Sequence, residues 1–134
     1  MGKTRARNTT AGITLDAGAL IALDRGEKRM IALLGQALAQ RRTLRIPAGV
    51  VGQAWRDGRT QAALARFLRT EEVEIVSLDE QLSRSCGELC GATGTSDVID
   101  ASVVILARER RDVIVTSDPD DLRRLDPQSP IFQI

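Results

Sequence analysis

The sequence predicts a single α/β domain: a four- or five-stranded, mostly parallel sheet held between helices. Three observations carry this. Short aliphatic runs alternate with helical patterns along the chain, the order that builds parallel strands joined by crossovers. The run Val113-Ile114-Val115-Thr116 is apolar up to its last residue, as a strand buried on both faces must be. No linker, repeat or low-complexity segment divides the 134 residues, which suffice for one core but not two.

Each element has its own signal. Residues 1–12 are expected to form a flexible basic arm, with Lys3, Arg5 and Arg7 among polar neighbours, and residues 13–134 the domain. Ile13-Thr14-Leu15 reads as a strand ending at Asp16, with a helix following from Ala17 through Leu23. Residues 27–42 place Met30, Ile31, Leu33, Leu34, Ala37 and Leu38 at the i, i+3, i+4 spacing of an amphipathic helix. A short strand at residues 44–47 brings Pro47 to the first turn of the next helix. That helix is expected to run through Val50, Val51, Ala54 and Trp55 to Gly58. Thr60 is the expected cap of another, with Leu64, Phe67 and Leu68 facing inward.

Val73-Glu74-Ile75-Val76 alternates as a strand. Asp79 then caps a helix through Leu82, Cys86, Leu89 and Cys90, expected to close at Gly91. Ser96 or Asp97 opens the most apolar helix, from Val98 to Ala107, which belongs under the sheet. Asp118 to Leu125 reads as a short helix, and Ile131-Phe132 is a candidate edge strand.

Composition narrows the chemistry. At 43% hydrophobic and 28% charged, the chain is of the globular rather than the disordered class. No apolar run approaches the roughly 20 residues of a membrane-spanning helix. There is no histidine, which removes Ser-His-Asp, Cys-His and histidine–zinc chemistry. Cys86 and Cys90, four apart on one helix face, suit a buried core pair better than a disulfide. No P-loop pattern occurs. The opening residues contain no secretory apolar segment, so a cytoplasmic location is expected.

Carboxylates remain, and their placement is informative. In open α/β sheets ligands gather at the carboxyl ends of the strands. Asp16 ends the first strand, and Asp118 follows the Val113–Thr116 strand after one serine. Asp97 and Asp100 lie on one face at the start of the apolar helix. Asp97 also has the position of a helix cap, whereas Asp100 lies in an apolar environment where an unpaired carboxylate is costly. Asp120 and Asp121 read as solvated residues at the positive end of the last helix. Two unit charges ~5 Å apart at an effective dielectric of ~20 repel by roughly 3 kcal/mol. Clustered acids therefore shift their pKa values or hold a cation, and an all-oxygen set selects Mg²⁺ or Mn²⁺. Metal-assisted hydrolysis of a phosphodiester follows as the natural chemistry.

Four segments carry a family resemblance. They are Leu15-Asp16-Ala17-Gly18-Ala19-Leu20-Ile21-Ala22-Leu23, Ile46-Pro47-Ala48-Gly49-Val50-Val51-Gly52-Gln53-Ala54-Trp55-Arg56, Thr95-Ser96-Asp97-Val98-Ile99-Asp100-Ala101 and Val115-Thr116-Ser117-Asp118-Pro119-Asp120-Asp121-Leu122. In order and spacing, from residue 13 to about 125, they resemble PIN-domain ribonucleases, specifically VapC-type toxins of toxin–antitoxin pairs. The resemblance implies Mg²⁺- or Mn²⁺-dependent endoribonuclease activity, a cognate antitoxin and commonly a homodimer. It assigns Asp16, Asp100 and Asp118 as the family's acids, Asp97 as a frequent extra acid and Thr116 as the hydroxyl near the fourth motif. Gln53 stands where the family presents a glutamate. Glutamine keeps the shape but removes one negative charge, with Asp57 a possible replacement. The alternative reading is a catalytically weakened PIN-fold module that binds RNA or a partner.

The formal net charge of +1 hides an uneven distribution. Residues 41–70 hold seven arginines against Asp57 alone, a local charge of +6. Arg41, Arg42, Arg45, Arg56 and Arg59 are the candidate contacts to RNA phosphates. With Trp55, Phe67 and Phe132 as the only aromatics, base stacking is poorly supplied.

Overall fold

Five strands, β1 (Ile13–Leu15), β2 (Leu44–Pro47), β3 (Val73–Val76), β4 (Val113–Thr116) and β5 (Ile131–Gln133), form one sheet in the computed structural model, which describes residues 11–134. Their order is β3-β2-β1-β4-β5, and every neighbouring pair is parallel. The candidate edge strand is therefore real and closes one side. Residues 1–10 of the expected arm lie outside the described residues. Ala11 and Gly12 belong with the domain: Arg42 Nε donates to the Ala11 carbonyl at 2.7 Å, and the Val113 N–H to that of Gly12 at 3.0 Å.

Seven helices connect the strands: α1 (Ala17–Asp24), α2 (Lys28–Ala39), α3 (Ala48–Ala54), α4 (Ala62–Leu68), α5 (Glu80–Thr93), α6 (Val98–Arg110) and α7 (Pro119–Leu125). Helix α1 packs against α2, α3 and α4, while α6 packs against α5, α7 and strands β1, β2 and β4. That division is what right-handed crossovers produce when the strand order turns back after β3. Helix α6 is buried from Ala101 to Ala107 without a break, between the sheet on one side and α5 and α7 on the other. Each of its large aliphatic side chains contributes about 1.5–3 kcal/mol on burial. Cys86 and Cys90 are free thiols buried on α5, and burial pushes the Cys86 thiol up. Among the described residues, no single helix is long and apolar enough to cross a membrane.

Several boundaries differ from the sequence reading, each for a local reason. Pro47 is the last residue of β2 and caps α3 from outside rather than opening it. Helix α3 stops at Ala54, not Gly58, because the buried Gln61 side chain satisfies the backbone there. Its Oε1 accepts from the N–H groups of Arg56 (2.7 Å) and Asp57 (2.9 Å), and its Nε2 donates to the Ala54 carbonyl (2.9 Å). Thr60 does not cap α4: its hydroxyl donates to the Asp57 carbonyl, and α4 starts after Gln61. Helix α5 runs through Gly91 to Thr93 and ends at Gly94, whose φ of 71° gives the left-handed cap that glycine adopts without steric cost.

Candidate active site

The strand order reverses between β1 and β4, so a crevice opens beyond their carboxyl ends. Asp16 stands there as the residue after β1. Its Oδ1 accepts from the Ala19 N–H at 3.0 Å, capping α1, and its Oδ2 accepts from Thr116 Oγ1 in a short bond. Thr116 Oγ1 in turn accepts the Asp118 N–H at 3.0 Å. One buried hydroxyl thus ties the ends of both strands together, which is why a threonine rather than a third valine closes β4. Gly18 permits the approach, since a Cβ there would collide with Ser117 Oγ.

Helix α6 delivers the second pair of acids. Asp97 caps it, accepting from the Asp100 N–H at 2.9 Å, so the cap and the candidate ligand are the same residue. Asp100, half-buried in the first turn, is the most perturbed group of the site. Burial pushes its carboxyl up to about 7, and the like charges of Asp97, Asp121 and Asp16 and a hydrogen bond with Asp97 add to the rise. Burial also raises Asp16, opposed by its hydrogen bonds from Thr116 and Ala19 and reinforced by Asp118. Asp16, Asp97 and Asp121 thus act on Asp100, and Asp118 acts on Asp16.

Helix α3 approaches the same edge, because a Cβ at Gly49 would strike Ile99 Cδ1 at the start of α6. Gln53 lies one turn along the same face of α3, and among the described residues no hydrogen bond joins it to any acid. Asp57 does not replace the missing charge. It lies beyond the helix end and accepts from Arg59 at 3.2 Å through each carboxylate oxygen, which holds its pKa below the usual range.

Arg41, Arg42 and Arg45 do not lie beside the acids. Arg45 is a structural residue: its Nη1 lies 2.7 Å from buried Asp112 Oδ1 and its Nε 3.1 Å from Glu74 Oε1. Arg41 and Arg42 precede β2 and so sit with Arg45 towards the amino ends of the strands, opposite the site. Arg56 folds back on the Gly52 and Trp55 carbonyls, and Arg59 on Asp57. Asp121, read from the sequence as solvated, and Arg124, which the sequence reading did not single out, stand beside Asp97 and Asp100. A cleft of about 430 Å³ is lined by Thr93–Ser96, Asp97, Asp100, Asp121, Arg124 and Leu125. The signal available was that Asp121 lies in the first turn of α7, three residues after the strand-end Asp118.

The candidate donors are carboxylate oxygens with the Thr116 hydroxyl beside them, like charges raise Asp100, and among the described residues no Lys or Arg pairs with Asp16, Asp97, Asp100 or Asp118. Charge and donor type fit Mg²⁺ or Mn²⁺. Among the described residues the acids are not drawn into a ready three-ligand cluster.

No family model matches the sequence, and no curated protein matches it. Solved structures do match. VapBC2 from Rickettsia felis, bound to a DNA fragment from its promoter, is similar at 18% identity and a TM-score of 0.66, covering 91% of this chain and 98% of that one. VapC20 of Mycobacterium tuberculosis, described as a toxin that cleaves the sarcin–ricin loop, is similar at 17% identity and a TM-score of 0.64, covering 81% and 92%. FitAcB of Neisseria gonorrhoeae is similar at 16% identity and a TM-score of 0.62, covering 90% and 96%. Similarity over nearly the full length of each chain, with a five-stranded all-parallel sheet between helices, gives the chain the PIN-like fold of these structures.

Proposed function

We propose that the chain is a metal-dependent endoribonuclease toxin of the VapC type, cutting RNA phosphodiesters and restrained by a cognate antitoxin. The observation that carries this is the Asp100 environment: a carboxyl raised to about 7 by burial and by acids from β1, α6 and α7. Proteins tolerate such crowding mainly at sites that bind cations or move protons. The fold relationship to VapC20 and to the VapBC2 and FitAcB assemblies supports an RNA substrate and a protein inhibitor. A homodimer and a cytoplasmic location belong to the same reading.

Asp16, Asp97, Asp100 and Asp118 would hold Mg²⁺ or Mn²⁺. Bound there, the cation supplies positive charge against the phosphodiester oxygens and acidifies the attacking water. The chain's own work is positioning. Thr116 fixes the Asp16 carboxylate and the backbone of Asp118 in one hydrogen-bonded unit. Asp97 orients the first turn of α6, and with it Asp100. Thr116→Val is expected to lower cleavage by about 10–100-fold, the range for residues that orient a ligand. A valine variant as active as wild type excludes this role.

Gln53 supports a second reading, a PIN-fold module with weakened catalysis, because α3 brings no carboxylate to the site. Gln53→Glu separates the two. In a Mg²⁺-dependent cleavage assay on structured RNAs it is expected to equal or exceed wild type. RNA binding without cutting by wild type, with cutting restored in Gln53→Glu, favours the second reading. Cleavage that persists in EDTA removes the metal from both.

A further inference from the structure

Helix α7 carries two neighbouring ion pairs of the same spacing. Asp120 Oδ1 and Arg123 Nη1 are 4.0 Å apart, and Asp121 Oδ1 and Arg124 Nη1 are 3.7 Å apart. Exposed i, i+3 pairs at such distances contribute little to stability, so packing alone does not explain either. They differ in what they face. Asp121 and Arg124 line the cleft that holds Asp97 and Asp100, whereas Asp120 and Arg123 do not. Arg124 is the one basic residue among the lining residues, and its side chain is 72% exposed.

A polyanion entering a cleft of carboxylates meets repulsion unless a cation is supplied beside them. A guanidinium presents parallel N–H donors that match phosphate oxygens, and a phosphate is a stronger partner for it than a carboxylate 3.7 Å away. Ser96, another lining residue, is exposed and makes no hydrogen bond among the described residues, which leaves its hydroxyl free to donate.

We infer that this cleft is a phosphate subsite for RNA, in which Arg124 leaves Asp121 to bind a phosphate flanking the one that is cut, with the Ser96 hydroxyl as second donor. The inference rests on the reading of the site as RNA-directed and names the groups that hold the strand. Arg124 is a binding residue here, not a catalytic one.

The test is binding of a short fluorescein-labelled oligoribonucleotide in EDTA, read by anisotropy. Arg124→Gln is expected to weaken binding about five- to tenfold and to lower the salt slope of log K by about 0.7. Arg124→Lys should recover part of the loss. Arg123→Gln removes the same charge one residue away and should change binding less than twofold. Equal losses in the two glutamine variants, no loss in Arg124→Gln, or no binding by wild type each overturn the subsite. Cleavage with Mn²⁺ is scored separately. Wild type that binds through Arg124 and cuts nothing leaves the subsite standing and removes the nuclease reading. Wild type that cuts, with an unchanged KM in Arg124→Gln, overturns the subsite alone.

Discussion

Asp100→Asn is expected to abolish RNA cleavage and, in the same protein, to stabilise the fold at neutral pH. Even residues that merely orient a ligand cost about 10–100-fold, so loss of Asp100 itself should exceed a hundredfold, ~10² or more. The stability gain follows from its environment. A carboxyl raised to about 7 in the folded protein, by burial and then by Asp97, Asp121 and Asp16, opposes folding once the unfolded chain has ionised. The penalty is absent below pH ~4, grows as pH rises towards 7 and is constant above it. Because Asp100 is half-buried, solvent screening leaves part of that shift as stability, about 1–2 kcal/mol. Asparagine removes the penalty, so the variant should melt about 4–8 °C higher at pH 7.5 in EDTA. The gap should narrow as pH falls towards 4. Equal melting temperatures at pH 7.5 would show that the acids do not confront one another.

Asp112→Ala is expected to destabilise the domain by about 3–5 kcal/mol, because it strands a charge that the fold has largely removed from water. Asp112 is 1% exposed, bonded to Arg45 at 2.7 Å and to Thr14 Oγ1 at 2.8 Å. Its loss leaves Arg45, whose side chain is 15% exposed, with only the surface Glu74. Against a typical domain stability of about 5–15 kcal/mol, a change of that size is readily seen as a lower urea midpoint at unchanged slope. The double variant Arg45→Met with Asp112→Leu should recover much of the loss, since a buried pair replaced by apolar side chains leaves no orphan charge. RNA affinity of the double variant should match wild type, because the pair sits at the amino ends of the strands. A large loss of RNA binding would return Arg45 to the RNA interface.

Strand positions were legible wherever side-chain burial set the pattern. All five strands, the apolar helix and the two cysteines lie where aliphatic periodicity put them, because sheet and helix repeat distances act residue by residue. Helix ends were less legible where a distant side chain decides them. Gln61 ends α3 by satisfying Arg56, Asp57 and Ala54, and nothing local in the sequence distinguishes it from a surface glutamine. The choice of Gly94 over Gly91 was equally hidden: both are glycines, and Thr93 continues the helix by donating to the Leu89 carbonyl.

The site divides in the same way. Asp16 and Asp118 could be read from strand ends, and Asp97 and Asp100 from the start of a helix too apolar for a stray acid. Charge counting misled for the arginines, since a +6 segment says nothing about which edge of the sheet it occupies. Arg45 alternates with Leu44 and Ile46 on β2 and meets Asp112, a partner 67 residues away. Asp121 reads as an ordinary solvated helix residue and Arg124 carries no signal of its own, because the cleft they share with Thr93–Ser96 forms only in the fold.

In the proposed function, aspartates at the β1–β4 switch point would hold a divalent cation needed for RNA cleavage. The most direct test is a Mn²⁺ titration of EDTA-stripped protein, followed through RNA cleavage, with wild type and Asp100→Asn in parallel. No cutting is expected without metal, wild type should cut saturably as Mn²⁺ rises, and Asp100→Asn should cut at no concentration. Cutting by the stripped protein, or an Asp100→Asn curve that overlays wild type, would contradict the proposed function.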